Sequence, residues 1–187
     1  MSFANKITIF RILSVPFFMT TLIYYTPEKD YLRIIALSIF TLAVISDVID
    51  GYIARVKKQK TQAGAILDPL ADKILLITAF IFLYRISNMY FEIKLPLWIV
   101  LIVIFRDAIL LIGGAIIILS NQVSKITPPT WIGKTSTFFQ TTTILALLLK
   151  LNFSYYLWNI AVVFTLVSGI DYLRKGIVMF NAQPQNK

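Results

Sequence analysis

The sequence predicts an all-α integral membrane protein with six transmembrane helices and both termini in the cytoplasm. The first observation is composition: of 187 residues, 58% are hydrophobic and 14% charged, against ~45–50% apolar and ~25% charged in soluble domains. The second is the length of the apolar runs, because a helix needs roughly 20 residues to cross the hydrocarbon core. The third is the uneven placement of Lys and Arg between successive loops.

Polar residues divide the chain into six apolar runs, which we take as the spans of a single domain covering residues 1–187. They cover residues 8–25, 31–54, 65–86, 95–119, 136–151 and 154–173. The first run opens with Asn5, Thr8 and Arg11 and lacks a small-residue cleavage site. We therefore expect it to be a retained helix, with the mature protein beginning near Met1.

Basic residues decide the orientation. One side of the predicted bundle carries Lys6, Arg55, Lys57, Lys58, Lys60, Lys125, Lys134, Arg174, Lys175 and Lys187; the other carries Lys29, Arg33, Arg85, Lys94 and Lys150. The richer side should face the cytoplasm. The net charge of +9 suits contact with anionic membrane lipids. Because the basic residues are scattered over short loops, nucleic acid is not an expected partner. The sequence thus predicts a multi-pass protein of the cell (inner) membrane.

The absence of two residue types limits the chemistry. The chain has no cysteine and no histidine, which removes disulfides, thiolate chemistry, the usual zinc sites and imidazole acid–base catalysis. Any metal ion must be held by oxygen ligands.

Four of the nine acidic residues fall in one short segment: Asp47, Asp50, Asp68 and Asp72. The spacings of three and four residues place each pair on one face of a helix. A cytoplasmic hairpin between the second and third spans would bring all four carboxylates to one site, on the cytoplasmic side. If Asp47 and Asp50 were merely solvated residues at a helix end, Asp68 and Asp72 would remain unexplained.

Carboxylates inside a membrane need a compensating cation, since one Asp costs ~2.5–3.5 kcal/mol on insertion scales. An oxygen-only set selects a hard divalent ion, Mg²⁺, Mn²⁺ or Ca²⁺, and four carboxylates are enough to share between two ions. Such ions bind pyrophosphates. Gly51 and Ala54 leave a helix face where a base or diphosphate could approach, unless they only pack helices. Arg55 is placed to pair a phosphate.

The pattern Asp-x2-Asp-Gly-x2-Ala-Arg-x8-Gly-x3-Asp-x3-Asp, from Asp47 to Asp72, resembles the signature of the CDP-alcohol phosphotransferase family. The resemblance implies that Asp47, Asp50, Asp68 and Asp72 hold two Mg²⁺ or Mn²⁺ ions and that Asp72 is also the general base. It implies contacts to the CDP group from Asp47, Gly51, Ala54, Arg55, Gly64 and Thr8. It further implies a homodimer and CDP-diacylglycerol as the donor, with CMP as the leaving group.

The resemblance also implies a glycerol-type alcohol as the acceptor, and Arg106 and Lys134 are the candidate residues for binding it. The stretch that contains Asp68 and Asp72 resembles family members that use glycerol 3-phosphate, which is our first expectation. Those members tend to carry basic residues where this chain has Gly114 and Ser136. The surroundings of Arg106 and Lys134 resemble members that use phosphatidylglycerol and form cardiolipin, the alternative. A structural ion pair of Arg106 with Asp107 is also compatible with the sequence.

A different class of function, an ion-coupled transporter, is also compatible with Asp and Arg residues inside the membrane. The inverted repeat and broken helices of many transporters are not evident in the sequence. A purely structural membrane protein would have no reason to cluster carboxylates on two adjacent helices.

Overall fold

A computed structural model describes residues 3–56, 62–119 and 130–181, and describes side chains for residues 8–49, 70–115 and 130–175. Several residues used to predict the orientation lie outside the described residues: Lys57, Lys58, Lys60, Lys125 and Lys187.

The described residues form six α-helices and one short 3₁₀ helix, Pro27–Lys29. The α-helices are α1 (Phe3–Ile23), α2 (Tyr31–Val56), α3 (Gln62–Tyr90), α4 (Leu97–Leu119), α5 (Trp131–Leu148) and α6 (Ser154–Asn181). The predicted all-α fold and the order of its helices are confirmed. The largest difference is the end of α6, which continues to Asn181 instead of ending at residue 173. The helix α5 begins at Trp131 rather than at residue 136. Its start is set by Thr130, whose Oγ1 accepts a hydrogen bond from the Gly133 amide at 3.2 Å, a normal N-cap.

Three of the described helices contain stretches long and apolar enough to cross a bilayer: Tyr31–Ile49, Leu97–Ala115 and Ser154–Lys175. A shorter apolar stretch, Thr8–Ile23, lies in α1. The helix α5 is less apolar because it carries Ser136, Gln140 and Thr143, all buried against other helices. The apolar helical architecture is that of a membrane protein, and the six-span topology stays a prediction.

The helices pack in two groups that meet mainly at α3 and, to a smaller extent, where α2 contacts α5. The first helix packs against α2 and α3, and α6 packs against α5 and α4, while α3 also contacts α4 and α5. Phe18, Phe40 and Phe80 are fully buried at the centre of the first group. Many large apolar side chains lie exposed on the outside, as Phe17 and Phe105 do. In a bilayer these side chains contact lipid tails, so their exposure carries no hydrophobic cost.

A charged cluster closes one end of the bundle. Asp30 Oδ1 accepts hydrogen bonds from Arg33 Nε at 2.9 Å and from Lys150 Nζ at 3.0 Å. Arg33 also donates to the carbonyl of Leu148 at the end of α5. Arg33, and to a lesser degree Lys150, hold the pKa of the Asp30 carboxyl well below its usual range. These contacts join the start of α2 to the end of α5, about 25 Å along α2 from Asp47 at a rise of ~1.5 Å per residue.

The backbone at Lys150 has a φ of 56°, the left-handed conformation that commonly ends a helix. The amide of Lys150 donates to the Leu147 carbonyl at 3.0 Å, and the amide of Leu151 donates to the Ala146 carbonyl at 2.9 Å. This is a Schellman motif in which Lys replaces the usual Gly. The ion pair with Asp30 contributes to holding that conformation.

Candidate active site

A cavity of about 590 Å³ lies at the other end of the bundle, between α2, α3, α4, α5 and α6. Its lining is rich in charged and hydroxyl side chains: Asp47, Asp72, Lys73, Arg106, Leu110, Thr130, Gly133, Lys134, Thr137, Ser168, Asp171, Tyr172 and Lys175. Five helices therefore contribute to one polar space in a bundle whose outer surface is largely apolar.

Asp47 and Asp72, predicted metal ligands on α2 and α3, both line this cavity. Asp50 lies three residues after Asp47 in α2, and Asp68 four residues before Asp72 in α3. The side chains of Asp50 and Asp68 lie outside the described residues. Among the side chains that are described, no three acidic, His or Cys residues are grouped as metal ligands. The structure thus brings one carboxylate of each pair together, and the four-carboxylate cluster stays a prediction.

The predicted contacts to the CDP group fall mostly on residues described by their backbone alone. Gly51, Ala54 and Arg55 lie in the last turns of α2, and Gly64 lies in the first turn of α3. Thr8 is fully buried in α1. The ends of α2 and α3 that carry these residues continue the same helices as Asp47 and Asp72, and the contacts to the CDP group stay a prediction.

One turn after Thr8, Arg11 reaches the carboxylate region from α1. Its Nη1 lies 2.6 Å from Asp47 Oδ1. The Arg11 side chain is 1% exposed, whereas that of Asp47 is 48% exposed. The pair therefore joins a buried cation to a carboxylate that is open to the cavity.

Arg106 belongs to a buried network of charges between α3, α4 and α6. Its Nη1 donates to Asp107 Oδ1 at 2.6 Å, and its Nη2 donates to Ser168 Oγ at 2.7 Å. Lys73 Nζ donates to the same Asp107 oxygen at 3.2 Å. Asp107 is fully buried. The structural ion pair that the sequence allowed is therefore present, and Arg106 lines the cavity as well.

Lys134 is an exposed cation at the cavity, one residue after Gly133 in the first turn of α5. A Cβ atom at Gly133 would lie 3.4 Å from both Arg106 Nη2 and Ser168 Oγ. This glycine lets α5 approach α4 and α6 closely. The two predicted acceptor residues, Arg106 and Lys134, thus lie on the same cavity.

The two positions at which basic residues were expected in users of glycerol 3-phosphate have different surroundings. Ser136 is fully buried, and its Oγ lies 2.9 Å from Thr165 Oγ1 at the contact between α5 and α6. Gln140 Nε2 donates to the same Thr165 oxygen at 3.0 Å. Gly114 has open space where a Cβ would stand. Ser136 is therefore part of the packing between α5 and α6, whereas position 114 has room for a side chain.

Sequence reasoning missed several residues of the cavity, chiefly those that α6 contributes: Ser168, Asp171, Tyr172 and Lys175. Asp171 and Lys175 form an ion pair of 2.8 Å, one helical turn apart. That i, i+4 spacing was a visible signal, but it is equally typical of an exposed helix face. Lys73 was also missed as a lining residue.

The chain is similar to known proteins over most of its length. Residues 1–167 match the sequence model of CDP-alcohol phosphatidyltransferase. A probable phosphatidylglycerophosphate synthase of Mycobacterium tuberculosis is 30% identical over 93% of this chain and 81% of its own length. A CDP-diacylglycerol–glycerol-3-phosphate 3-phosphatidyltransferase of Aquifex aeolicus is 32% identical over 96% and 98%. One of Haemophilus influenzae, with the same name, is 33% identical over 95% of each chain.

The apolar helical bundle and its internal cavity of carboxylates and cations define a membrane enzyme that handles charged groups. The chain belongs to the CDP-alcohol phosphatidyltransferase family. It is therefore a transferase of phospholipid biosynthesis that uses a CDP-linked donor and an alcohol acceptor, and not a transporter.

Proposed function

We propose that this enzyme transfers the phosphatidyl group of CDP-diacylglycerol to glycerol 3-phosphate, with release of CMP. The observation that carries the proposal is the single cavity that joins Asp47 and Asp72 to Arg106, Lys134 and Lys175. Such a cavity offers carboxylates for the donor site and cations for an anionic acceptor within one space. The names of the similar proteins from Aquifex aeolicus and Haemophilus influenzae support the same acceptor.

The carboxylates of Asp47, Asp50, Asp68 and Asp72 would hold two Mg²⁺ or Mn²⁺ ions. The fit rests on the oxygen-only donor set and on the placement of Asp47 and Asp72 at the same cavity. When bound, such ions neutralise the charge that develops on phosphate oxygens during phosphoryl transfer. The CDP group would lie along the ends of α2 and α3, near Gly51, Ala54, Arg55 and Gly64, with Thr8 contributing from α1.

Asp72 is the residue we assign as the general base. It would take the proton of the acceptor hydroxyl while the hydroxyl oxygen attacks the lipid-linked phosphorus. The bond between that phosphorus and the oxygen that bridges it to CMP then breaks, and CMP leaves with the bonding electrons. The position of Asp72 on the cavity wall supports this role.

The acceptor phosphate would bind at the cations on the side of α4, α5 and α6. Lys134 is exposed, and the structure describes no ion pair for it. Lys175 is shared with Asp171, and Arg106 with Asp107. Lys134 can therefore bind a phosphate without giving up an ion pair. Arg106 would add hydrogen bonds from the donors that its own network leaves free.

One specific observation favours a second acceptor, phosphatidylglycerol, whose transfer would give cardiolipin. The two cations of the inner wall, Lys73 and Arg106, already share Asp107, and Ser136 is packed between helices instead of supplying a charge. A cavity with few uncommitted cations suits an acceptor with a single negative charge.

For the membrane arrangement, we propose six spans with both termini and the cavity on the cytoplasmic side of the cell membrane. The basic residues near the ends of α2 and α6 support this orientation. A homodimer is proposed from the resemblance to the family.

The deciding experiment gives the purified enzyme CDP-diacylglycerol and Mg²⁺ or Mn²⁺ with each acceptor separately and identifies the lipid formed. We expect phosphatidylglycerophosphate from glycerol 3-phosphate, with CMP released in equal amount. Cardiolipin from phosphatidylglycerol, with no product from glycerol 3-phosphate, would establish the second acceptor instead. Absence of CMP release with either acceptor would contradict both.

A further inference from the structure

Arg11 is a buried cation with unused hydrogen-bond donors. Among the described residues, none of its Nε, Nη1 and Nη2 atoms has a hydrogen-bond partner. The 2.6 Å approach of Nη1 to Asp47 is a charge contact whose N–H bonds do not point at the oxygen. A guanidinium has five N–H donors, and leaving them unpaired away from water is costly. Such an arrangement suits a side chain whose hydrogen-bond acceptors are supplied by a bound ligand.

A smaller cavity of about 200 Å³ lies directly beside Arg11. It shares Asp47, Asp72 and Thr137 with the larger cavity, so the two spaces adjoin. The rest of its lining is almost entirely apolar: Ala43, Val44, Val48, Leu75, Leu76 and Phe138, with Thr141. We call this space the side chamber. It combines one buried cation near the carboxylates with apolar walls leading away from them.

The lining restricts what can occupy the side chamber. A free inorganic anion would satisfy Arg11 but would leave the apolar walls without a partner. An acyl chain alone would satisfy the walls but not the guanidinium. A phosphate that continues into a glycerol ester and acyl chains meets both requirements, since its oxygens can accept charge-assisted bonds while its chains contact the apolar residues.

We propose that Arg11 binds the lipid-side phosphate of the donor and that the side chamber takes the adjoining glycerol ester. This inference rests on the proposed function, because it assumes a donor with a diacylglycerol phosphate group. Asp47 is the counter-charge of Arg11 in the absence of donor. Since Asp47 is half exposed to the cavity, Arg11 can contact a phosphate there without losing Asp47 as a neighbour.

The test measures binding instead of turnover, with three ligands that differ by one part each. CMP lacks the lipid-side phosphate, CDP carries it as its terminal phosphate, and CDP-diacylglycerol adds the lipid. Their dissociation constants are measured in nanodiscs with Mn²⁺ present, for wild type, Arg11→Met and Arg11→Gln. Arg85→Met is the matched control, because Arg85 is an exposed residue of α3 that lines neither cavity.

We expect both Arg11 variants to bind CDP and CDP-diacylglycerol about 10- to 150-fold more weakly, the worth of one charge-assisted hydrogen bond. CMP affinity should not change, and Arg85→Met should bind all three as wild type does. Thermal unfolding provides the second readout. Removing one member of an ion pair is costly when the other stays buried without a counter-charge; because the Asp47 side chain is 48% exposed, Arg11→Met should leave the unfolding temperature nearly unchanged.

Each alternative result counts against the inference in a distinguishable way. An equal loss for CMP, CDP and CDP-diacylglycerol would mean that Arg11 only shapes the site through Asp47. A loss confined to CDP-diacylglycerol would assign Arg11 to the ester and not to the phosphate. Unchanged affinities would exclude any donor contact. If wild type itself bound none of the three ligands, the proposed function would fail and this inference with it.

Discussion

Arg106 and Asp107, adjacent in α4, form a buried ion pair in which Arg106 Nη1 lies 2.6 Å from Asp107 Oδ1. The same oxygen accepts a hydrogen bond from Lys73 Nζ at 3.2 Å. One carboxylate from α4 thus neutralises a cation of its own helix and a cation of α3. Because Asp72 directly precedes Lys73, this network also fixes the helix turn that presents the proposed base.

The first prediction concerns the charge of Asp107. Asp107→Asn keeps the shape of the side chain but leaves two buried cations without their counter-charge, which should cost about 3–5 kcal/mol of stability. Asp171→Asn is the control, since its one-turn pair with Lys175 is partly exposed and worth ~0.3–0.5 kcal/mol. Unfolding in mixed micelles measures both. Equal losses would mean that Asp107 does not hold the network together.

The second prediction separates the two predicted acceptor residues. Lys134→Ala should raise the KM for glycerol 3-phosphate about 10- to 150-fold, as expected for one charge-assisted bond, with kcat and thermal stability little changed. Arg106→Ala should raise the same KM and also destabilise the protein, because Asp107 and Ser168 lose their partner.

Steady-state kinetics combined with thermal unfolding distinguish these outcomes. Lys29→Ala is the control for a general effect of charge, because Lys29 is exposed in the 3₁₀ helix at the other end of the bundle. An unchanged KM in Lys134→Ala would remove Lys134 from the acceptor site.

The third prediction compares two neighbouring glycines of α4. A Cβ at Gly113 would lie 2.8 Å from Tyr172 Oη, whereas a Cβ at Gly114 meets open space. Gly114→Ala should therefore stabilise the protein by up to ~1 kcal/mol through helix propensity. Gly113→Ala should lose that gain, because the Tyr172 ring must shift. It should also reduce activity, since Tyr172 lines the cavity. Equal stability and activity of the two variants would contradict the described contact.

The fourth prediction concerns pH and the Asp30 cluster. Hydrogen bonds from Arg33 and then Lys150 lower the pKa of Asp30 in the folded protein. A carboxyl of this kind stabilises the fold above its unfolded pKa of ~3.9, and that contribution is lost as the pH falls toward the folded pKa. Asp30→Asn should therefore be less stable than wild type at neutral pH, by ~0.2–1 kcal/mol for such exposed pairs.

The difference between Asp30→Asn and wild type should shrink as the pH is lowered from about 5 to about 3, the range in which the unfolded carboxyl takes up its proton. Thermal unfolding across this range measures it. Glu28→Gln is the control, because Glu28 is a neighbouring exposed acid, and it should follow wild type. A difference that grows on acidification would reverse the assigned sign.

Much of the fold could be predicted from the sequence, because membrane helices are recognised by the length and hydropathy of their apolar runs. The order of the six helices followed from the succession of apolar runs. The placement of Asp47 and Asp72 on one cavity followed from local spacing on two consecutive helices. The pairing of Lys73 with Asp107 did not, because it depends on how α3 packs against α4, which no spacing within either helix encodes. For the same reason Ser168, far along the chain on α6, could not be assigned to Arg106.

Arg11 shows a different limit of sequence reasoning. Arg11 was visible in the sequence as one of the polar residues that open the first apolar run, but a basic residue near a helix end usually sets topology. Only its burial and its contact with Asp47 distinguish it from such a residue. The N-cap at Thr130 was a recognisable local signal for the start of α5, and the apolar run that begins later obscured it.

The last prediction concerns the carboxylates and separates two roles. Asp47→Asn, Asp50→Asn and Asp68→Asn should each abolish activity and weaken donor binding while the protein remains folded, because each removes a proposed metal ligand. In Asp72→Asn the other three carboxylates remain to hold the ions. Its turnover should therefore fall by ~10²–10⁴-fold, the usual worth of a general base, with donor affinity largely retained. Single-turnover rates and CDP-diacylglycerol binding are measured side by side. Full activity of wild type in excess chelator would contradict the metal assignment. A loss of donor affinity in Asp72→Asn as large as its loss of rate would make Asp72 chiefly a ligand.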